Sequence, residues 1–150
     1  MKILVTYYSR TGNTKHIAHA VANRLKADID EIIDTKKRSG IFGYIGGGRD
    51  ALFGHRTKIE FRKNPRKYDL VIVGTPTWLY TATPAVKEYL IKNSFKKVAF
   101  FCTHGSNYKN VFREMNKLAG YPIATLEVLD KEVTKSKKKI DEFCNELKNS

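Results

Sequence analysis

Residues 3–25, ILVTYYSRTGNTKHIAHAVANRL, decide how the rest of the chain is read. Ile3 to Tyr8 is too short for a helix and rich in β-forming side chains, so it reads as a strand buried on both faces. From Thr14 onward the apolar residues Ile17, Ala18, Val21, Ala22 and Leu25 follow helical spacing, with Asn13 or Thr14 available as N-cap. Between them stand Ser9, Arg10, Thr11, Gly12, Asn13 and Thr14, hydroxyls and an amide around a single glycine. The unit is strand, polar turn, helix.

The same alternation recurs along the chain. Further strands are expected at Ile29 to Ile33, Leu70 to Gly74, Val98 to Cys102 and Ile123 to Val128, the last alternating in polarity and therefore at a sheet edge. Helices are expected at Pro84 to Ile91, where Thr83 stands as a cap before a first-turn proline, at Asn110 to Leu118, and at Thr134 to Leu147. Strands alternating with helices imply an α/β fold: a parallel sheet, right-handed crossovers and helices on both faces. A chain of 150 residues is long enough for one such core, and no repeat or linker divides it, so one domain over residues 1–150 is expected.

Two cysteines, Cys102 and Cys144, are too few for a disulfide framework and point to a reducing, cytoplasmic setting. The apolar N-terminal run is far shorter than a membrane span and lacks a following small-residue cleavage site, so no membrane partner is expected. The charge is strongly basic, 28 Lys and Arg against 15 Asp and Glu, a net +13. It concentrates in residues 35–67, a glycine-rich stretch with ten Lys or Arg against two acids and aromatics at Phe42, Tyr44, Phe53 and Phe61. A short helix is expected around Arg49 to Phe53. Such a field bears on partners rather than on fold, and Lys-rich solvated faces are the alternative reading.

In an open parallel sheet, ligands bind beyond the carboxyl ends of the strands where strand order reverses. The turn of Ser9 to Thr14 occupies that place, and hydroxyls, an amide and the free N–H groups of a helix start suit a phosphate. Gly12 lets the backbone wrap closely. The string Ser9-x-Thr-Gly-Asn-Thr14 directly after the first strand resembles the phosphate loop of the flavodoxin family, and the resemblance covers essentially the whole chain.

That resemblance implies a five-stranded doubly wound sheet of order 2-1-3-4-5 and noncovalently held FMN. It also implies that two later stretches, VGTPTWLYTATP (73–84) and FCTHGSNYKN (101–110), form the loops around the flavin ring. A flat tricyclic ring needs an apolar or aromatic wall with a few polar groups at its edge. Thr75, Pro76, Thr77, Trp78, Leu79 and Tyr80 offer both, with Trp78 favoured over Tyr108 as the aromatic contact. Thr103, His104, Gly105, Ser106, Asn107 and Tyr108 could present partners to the pyrimidine edge, and a protonated His104 would favour the reduced anion.

Other motifs carry less. Gly46-x-Gly48-x-x-Ala51 does not follow the first strand, and Gly43 to Arg49 has arginine where a P-loop has lysine. Cys102 at a strand end lacks the arginine six residues on that a phosphatase of related fold requires, Tyr108 standing there, and reads as a buried inert thiol. His16, His19, His55 and His104 have no metal-ligand spacing, so no metal is expected.

The resemblance therefore implies an electron carrier between redox partner proteins, with no catalytic acid or base of its own. An FMN-dependent NAD(P)H:quinone oxidoreductase is the alternative. A nucleic-acid binder of the same fold is supported by charge alone, its aromatics not being interleaved with base-reading motifs. The net charge of +13 is expected to make the semiquinone to hydroquinone potential less negative than in acidic relatives, and the basic segment 35–67 is expected to dock acidic partners. A monomer or weak dimer is expected.

Overall fold

The computed structural model describes residues 1–36 and 56–150. Strand β1 (Ile3–Tyr7) leads into helix α1 (Asn13–Leu25) and strand β2 (Asp28–Glu31). Two short strands follow, β3 (Ile33–Asp34) and β4 (Ile59–Glu60), then β5 (Leu70–Trp78) and β6 (Thr81–Ala82). Helix α2 (Pro84–Lys92), β7 (Val98–His104), α3 (Lys109–Ala119), β8 (Thr125–Leu129) and α4 (Lys137–Lys148) complete the chain. The helix expected around Arg49 to Phe53 lies outside the described residues.

The parallel sheet runs β2-β1-β5-β7-β8, which is the expected order 2-1-3-4-5 once the short strands are set aside. Its central strands are apolar on both faces because helices cover both. Val5, Ile72, Ala99 and Phe101 meet Ile17 and Val21 of α1 and Ile140 and Phe143 of α4. Leu4, Val71, Val73 and Phe100 meet Val86 and Tyr89 of α2 and Val111 and Met115 of α3. Each of the Val, Leu, Ile, Phe and Met side chains among them contributes roughly 1.5–3 kcal/mol by leaving water. Strand β8 is an edge strand, as its alternation implies.

Three local departures have physical reasons. Helix α1 is capped by Gly12, in left-handed backbone, rather than by Asn13 or Thr14, which already lie inside the helix. Strand β5 continues past Gly74 to Trp78, because beyond Pro76 its partner is the antiparallel β6. The last helix starts at Lys137 after a 3₁₀ stretch, Asp130–Lys135, and the buried Ser136 at its start donates its hydroxyl to Val133 O, 2.6 Å away.

Strands β3 and β4 pair antiparallel, joining the chain on either side of residues 37–55. Thr35 N–H donates to Lys58 O at 2.9 Å, and Thr57 Oγ1 donates to Asp34 Oδ1 at 2.7 Å. The buried Asp30 receives the N–H groups of Arg62 and Lys63 at 2.9 and 2.7 Å. Both cysteines are free and buried, and burial pushes both thiols up, Cys144 to about 11. No described helix is long and apolar enough to cross a membrane.

Arg56 clamps this ribbon to α2 through a fork onto the buried Glu88, Nε–Oε2 2.7 Å and Nη2–Oε1 2.8 Å, with Lys92 at 3.5 Å. The Arg56 hydrogen bond is the main cause holding the Glu88 carboxyl below the usual range, against the opposing effect of burial. Because the folded-state pKa lies below the unfolded one, this contribution is complete above the unfolded value and lost as pH falls through the folded one. Urea unfolding midpoints measured from about pH 6 down to pH 3 should therefore fall less steeply in Glu88→Gln than in the parent. Equal slopes would show that the pair carries no acid sensitivity.

Candidate functional site

Three loops leave the carboxyl ends of the adjacent strands β1, β5 and β7. The connection after β1 crosses to the α1 face and that after β5 to the α2 face, so strand order reverses between them. Tyr8 N–H donates to Gly74 O at 3.1 Å and fixes the first loop against β5.

In the first loop Gly12 has φ 100°, and a Cβ added there would meet no atom within 4 Å. The helix takes no side-chain cap, and its first backbone bond is His16 N–H to Gly12 O at 2.9 Å. The N–H groups of Asn13, Thr14 and Lys15 therefore have no intrahelical acceptor, as at any helix start. Ser9 Oγ accepts the Gly12 N–H at 3.2 Å, and Asn13 Nδ2 donates to Asp130 Oδ1 at 3.3 Å. Thr11 is exposed. Thr14 is buried, and its Oγ1 lies 2.8 Å from Thr103 Oγ1, which ties the first loop to the third. The Arg10 guanidinium lies 6.0 Å from the centre of the Trp78 ring, linking the first loop to the second.

The second loop is the β5–β6 hairpin, in which Thr77 pairs with Ala82 and Trp78 with Thr81. Its two turn residues, Leu79 and Tyr80, have φ of 47° and 65°. Positive φ at both positions is what a type I′ turn requires, normally supplied by Asn and Gly. For side chains with a Cβ it costs about 1–2 kcal/mol per residue. Leu79 and Tyr80 are 44% and 59% exposed, whereas Trp78 is buried beneath them with its ring edge-on to Tyr8 at 5.6 Å. Thr75 is buried and its Oγ1 accepts the Thr83 N–H at 3.2 Å, while Pro76 is half-buried in the strand.

Thr103 and His104 end β7, both buried. His104 Nε2 lies 2.6 Å from Glu127 Oε2, whose other oxygen accepts from Lys139 Nζ at 2.6 Å. Burial pushes the Glu127 carboxyl up, but the bonds from Lys139 and His104 outweigh it and hold the group below the usual range. His104 Nδ1 is buried without a hydrogen-bond partner among the described residues, and the ring packs 4.8 Å from Tyr108. Gly105, Ser106 and Asn107 are exposed, and Asn107 Oδ1 accepts the Lys109 N–H at 3.2 Å.

Thr77, Leu79 and Tyr80 face Gly105, Ser106 and Asn107 across a cavity of about 220 Å³. Thr77 Oγ1 is buried there with no nitrogen or oxygen partner among the described residues. An apolar hairpin wall opposite a small polar loop, beside an uncapped helix start, can hold a flat heteroaromatic ring that carries a phosphate. Larger hollows, about 410 Å³ between α1 and α4, about 590 Å³ against Tyr7, His19 and Asp30 and about 510 Å³ at Thr35, Lys36 and Arg56, do not join the three loops.

Of the residues singled out from the sequence, the structure gathers those of the second and third loops around the cavity, except Trp78, Thr75, Pro76, Thr103, His104 and Tyr108, which do not line it. Asp130, Glu127 and Glu114 also serve this edge and carried no local pattern. Each is defined by partners distant in sequence.

The sequence model of the flavodoxin domain matches residues 4–147. The fold is similar to a flavoprotein from Lactobacillus acidophilus NCFM solved in complex with FMN, at 26% identity over 89% of this chain and 97% of that one, TM-score 0.69. It is similar also to a protein from Bacteroides uniformis ATCC 8492 described as a flavoprotein, at 21% identity over 93% and 97% of the two chains, TM-score 0.77. Oxidised Flavodoxin 1 from Bacillus cereus shares the fold at 18% identity over 97% and 98%, TM-score 0.54. No curated protein matches the chain significantly.

Proposed function

The chain belongs to the flavodoxin domain family, and from that premise we propose that it binds FMN noncovalently and carries electrons between redox partner proteins. The observation that carries this reading is the uncapped start of α1 at Gly12, opening on the same edge as the cavity between Leu79–Tyr80 and Gly105–Asn107. When bound, the flavin supplies one- and two-electron chemistry.

The protein's part is binding and electrostatics. The N–H groups of Asn13 to Lys15 and the hydroxyls of Ser9, Thr11 and Thr14 are the donors for the phosphate, reinforced by the positive end of the α1 dipole. Leu79 and Tyr80 supply the apolar wall for the ring, and Thr77, Ser106 and Asn107 supply polar contacts at its edge. Trp78 acts from beneath the hairpin. Its indole is 3% exposed, and it supports the wall through Tyr8 and Arg10.

The exposed side chains of Lys36, Arg56, Lys58, Arg62, Arg66 and Lys67 make the described ends of segment 35–67 a cationic surface for an acidic partner. A net charge of +13 also favours the reduced, anionic cofactor, so its potential should be less negative than in acidic relatives. Partner affinity should fall with ionic strength, because exposed charge pairs are screened.

The test is the visible spectrum of the protein after adding FMN and removing the excess, followed by turnover of NADPH with a quinone. Flavin bands that stay with the protein, with no NADPH oxidation beyond that of free FMN, are expected. A colourless protein would end the FMN reading. Sustained NADPH oxidation would replace the carrier with an FMN-dependent NAD(P)H:quinone oxidoreductase.

A further inference from the structure

The β5–β6 hairpin is two paired residues on each side of a turn whose sequence opposes its own conformation, since Leu79 and Tyr80 both stand at positive φ. Such strain persists only where surrounding contacts over-determine it. Beside the packing of Tyr8 and Arg10 on Trp78, polar contacts of β6 converge on one carboxylate from another element. Glu114, on α3, accepts through Oε2 from the Thr81 hydroxyl and from Ala82 N–H at 3.2 Å. The same oxygen lies 3.4 Å from Lys87 Nζ of α2, and Oε1 accepts from Asn110 Nδ2 at 3.4 Å.

Thr81 and Ala82 are 2% and 0% exposed, so in the folded chain Glu114 and not water receives both donors. Leu79 and Tyr80 directly precede them and form one wall of the cavity; Gly105 to Asn107 form the other. Moving the hairpin therefore changes the width of the slot.

We propose that Glu114 is the positioning residue of the cofactor site, latching β6 to α2 and α3 so that the Leu79–Tyr80 wall stands at a fixed distance from residues 105–107. The role in cofactor binding rests on the FMN reading; the latch itself does not. Glu114 touches no ring atom on this account and acts through the hairpin.

Amide hydrogen exchange on the FMN-free protein, followed by FMN titration and potentiometry of the loaded protein, tests it in Glu114→Ala, Glu114→Gln and Thr81→Val. In Glu114→Ala, exchange at Leu79 to Ala82 should rise by about tenfold or more, while that of the β7 amides stays unchanged. FMN should bind about tenfold more weakly, and the potential should shift. Glu114→Gln keeps an acceptor oxygen and should recover most of the exchange protection and affinity. Thr81→Val, which spares the Ala82 bond, should fall between.

A folded Glu114→Ala protein with parental exchange at Leu79 to Ala82 overturns the proposal, as does a Glu114→Gln protein no better than Glu114→Ala. If Glu114→Ala does not fold, parental exchange in Thr81→Val overturns it instead. Should the parent bind no FMN, the FMN reading fails on the titration while the exchange data still decide the latch.

Discussion

Gly74→Ala lowers the free energy of unfolding by about 3 kcal/mol, at the upper end of what over-packing a core costs. Gly74 lies in β5 directly opposite Phe101 of β7, and a methyl group built on it would overlap the Phe101 ring. That ring is fully buried among Ile72, Ala99 and the apolar faces of α1 and α4, so it has no free space to enter. Relief must come from moving a central strand or forcing an unfavourable rotamer, and both are costly in a close-packed interior. Denaturant unfolding measures the loss. A double-mutant cycle with Phe101→Leu identifies its source, because the shorter side chain should make the alanine markedly less harmful. A loss under about 1 kcal/mol in the single variant, or simple additivity in the cycle, would contradict this account.

Gly12→Val weakens FMN binding by about 100-fold, a change of roughly 2.7 kcal/mol. Two effects act together. At φ 100° a β-branched residue is an outlier, costing about 1–2 kcal/mol in backbone strain that distorts the start of α1. The new side chain also projects into the space left open beside Gly12, where we place the phosphate. Stability of the FMN-free protein should fall by the strain alone, while affinity should fall by strain and obstruction together. Calorimetric titration beside denaturant unfolding separates the two. Gly12→Ala should lie between parent and valine, and binding by Gly12→Val within threefold of the parent would remove Gly12 from the site.

What could be read in advance followed the range of the interactions involved. The parallel sheet announced itself because Leu70 to Val73 and Val98 to Phe101 are apolar on both faces, and only helices on both sides bury such strands. The phosphate turn was legible because glycine and small hydroxyls occur at a strand-to-helix junction, a local pattern. The β5–β6 hairpin was not, since Leu79 and Tyr80 carry none of the usual turn chemistry and Gly74 looked like a strand end. Nor could spacing alone show that Trp78 packs under that hairpin, because an indole suits a ligand wall and a core equally well. Glu88, Glu114 and Glu127 belong to no local sequence motif. Their partners Arg56, Thr81 and His104 lie 32, 33 and 23 positions away, so only the folded chain brings them together.

The β3–β4 ribbon carries a consequence for heredity. With Asp34 paired to Ile59 and Thr35 bonded to Lys58, it brings the two described ends, Lys36 and Arg56, to one place on the domain. Ends already held together make changes of length between them cheap, because each doubling of a connection costs only about 0.6 kcal/mol in closure entropy. Insertions and deletions between those ends are therefore expected to cost little stability. The stretch to which we assign partner contact is thus free to change in length, whereas the turns we assign to the cofactor are held by the register of β1, β5 and β7.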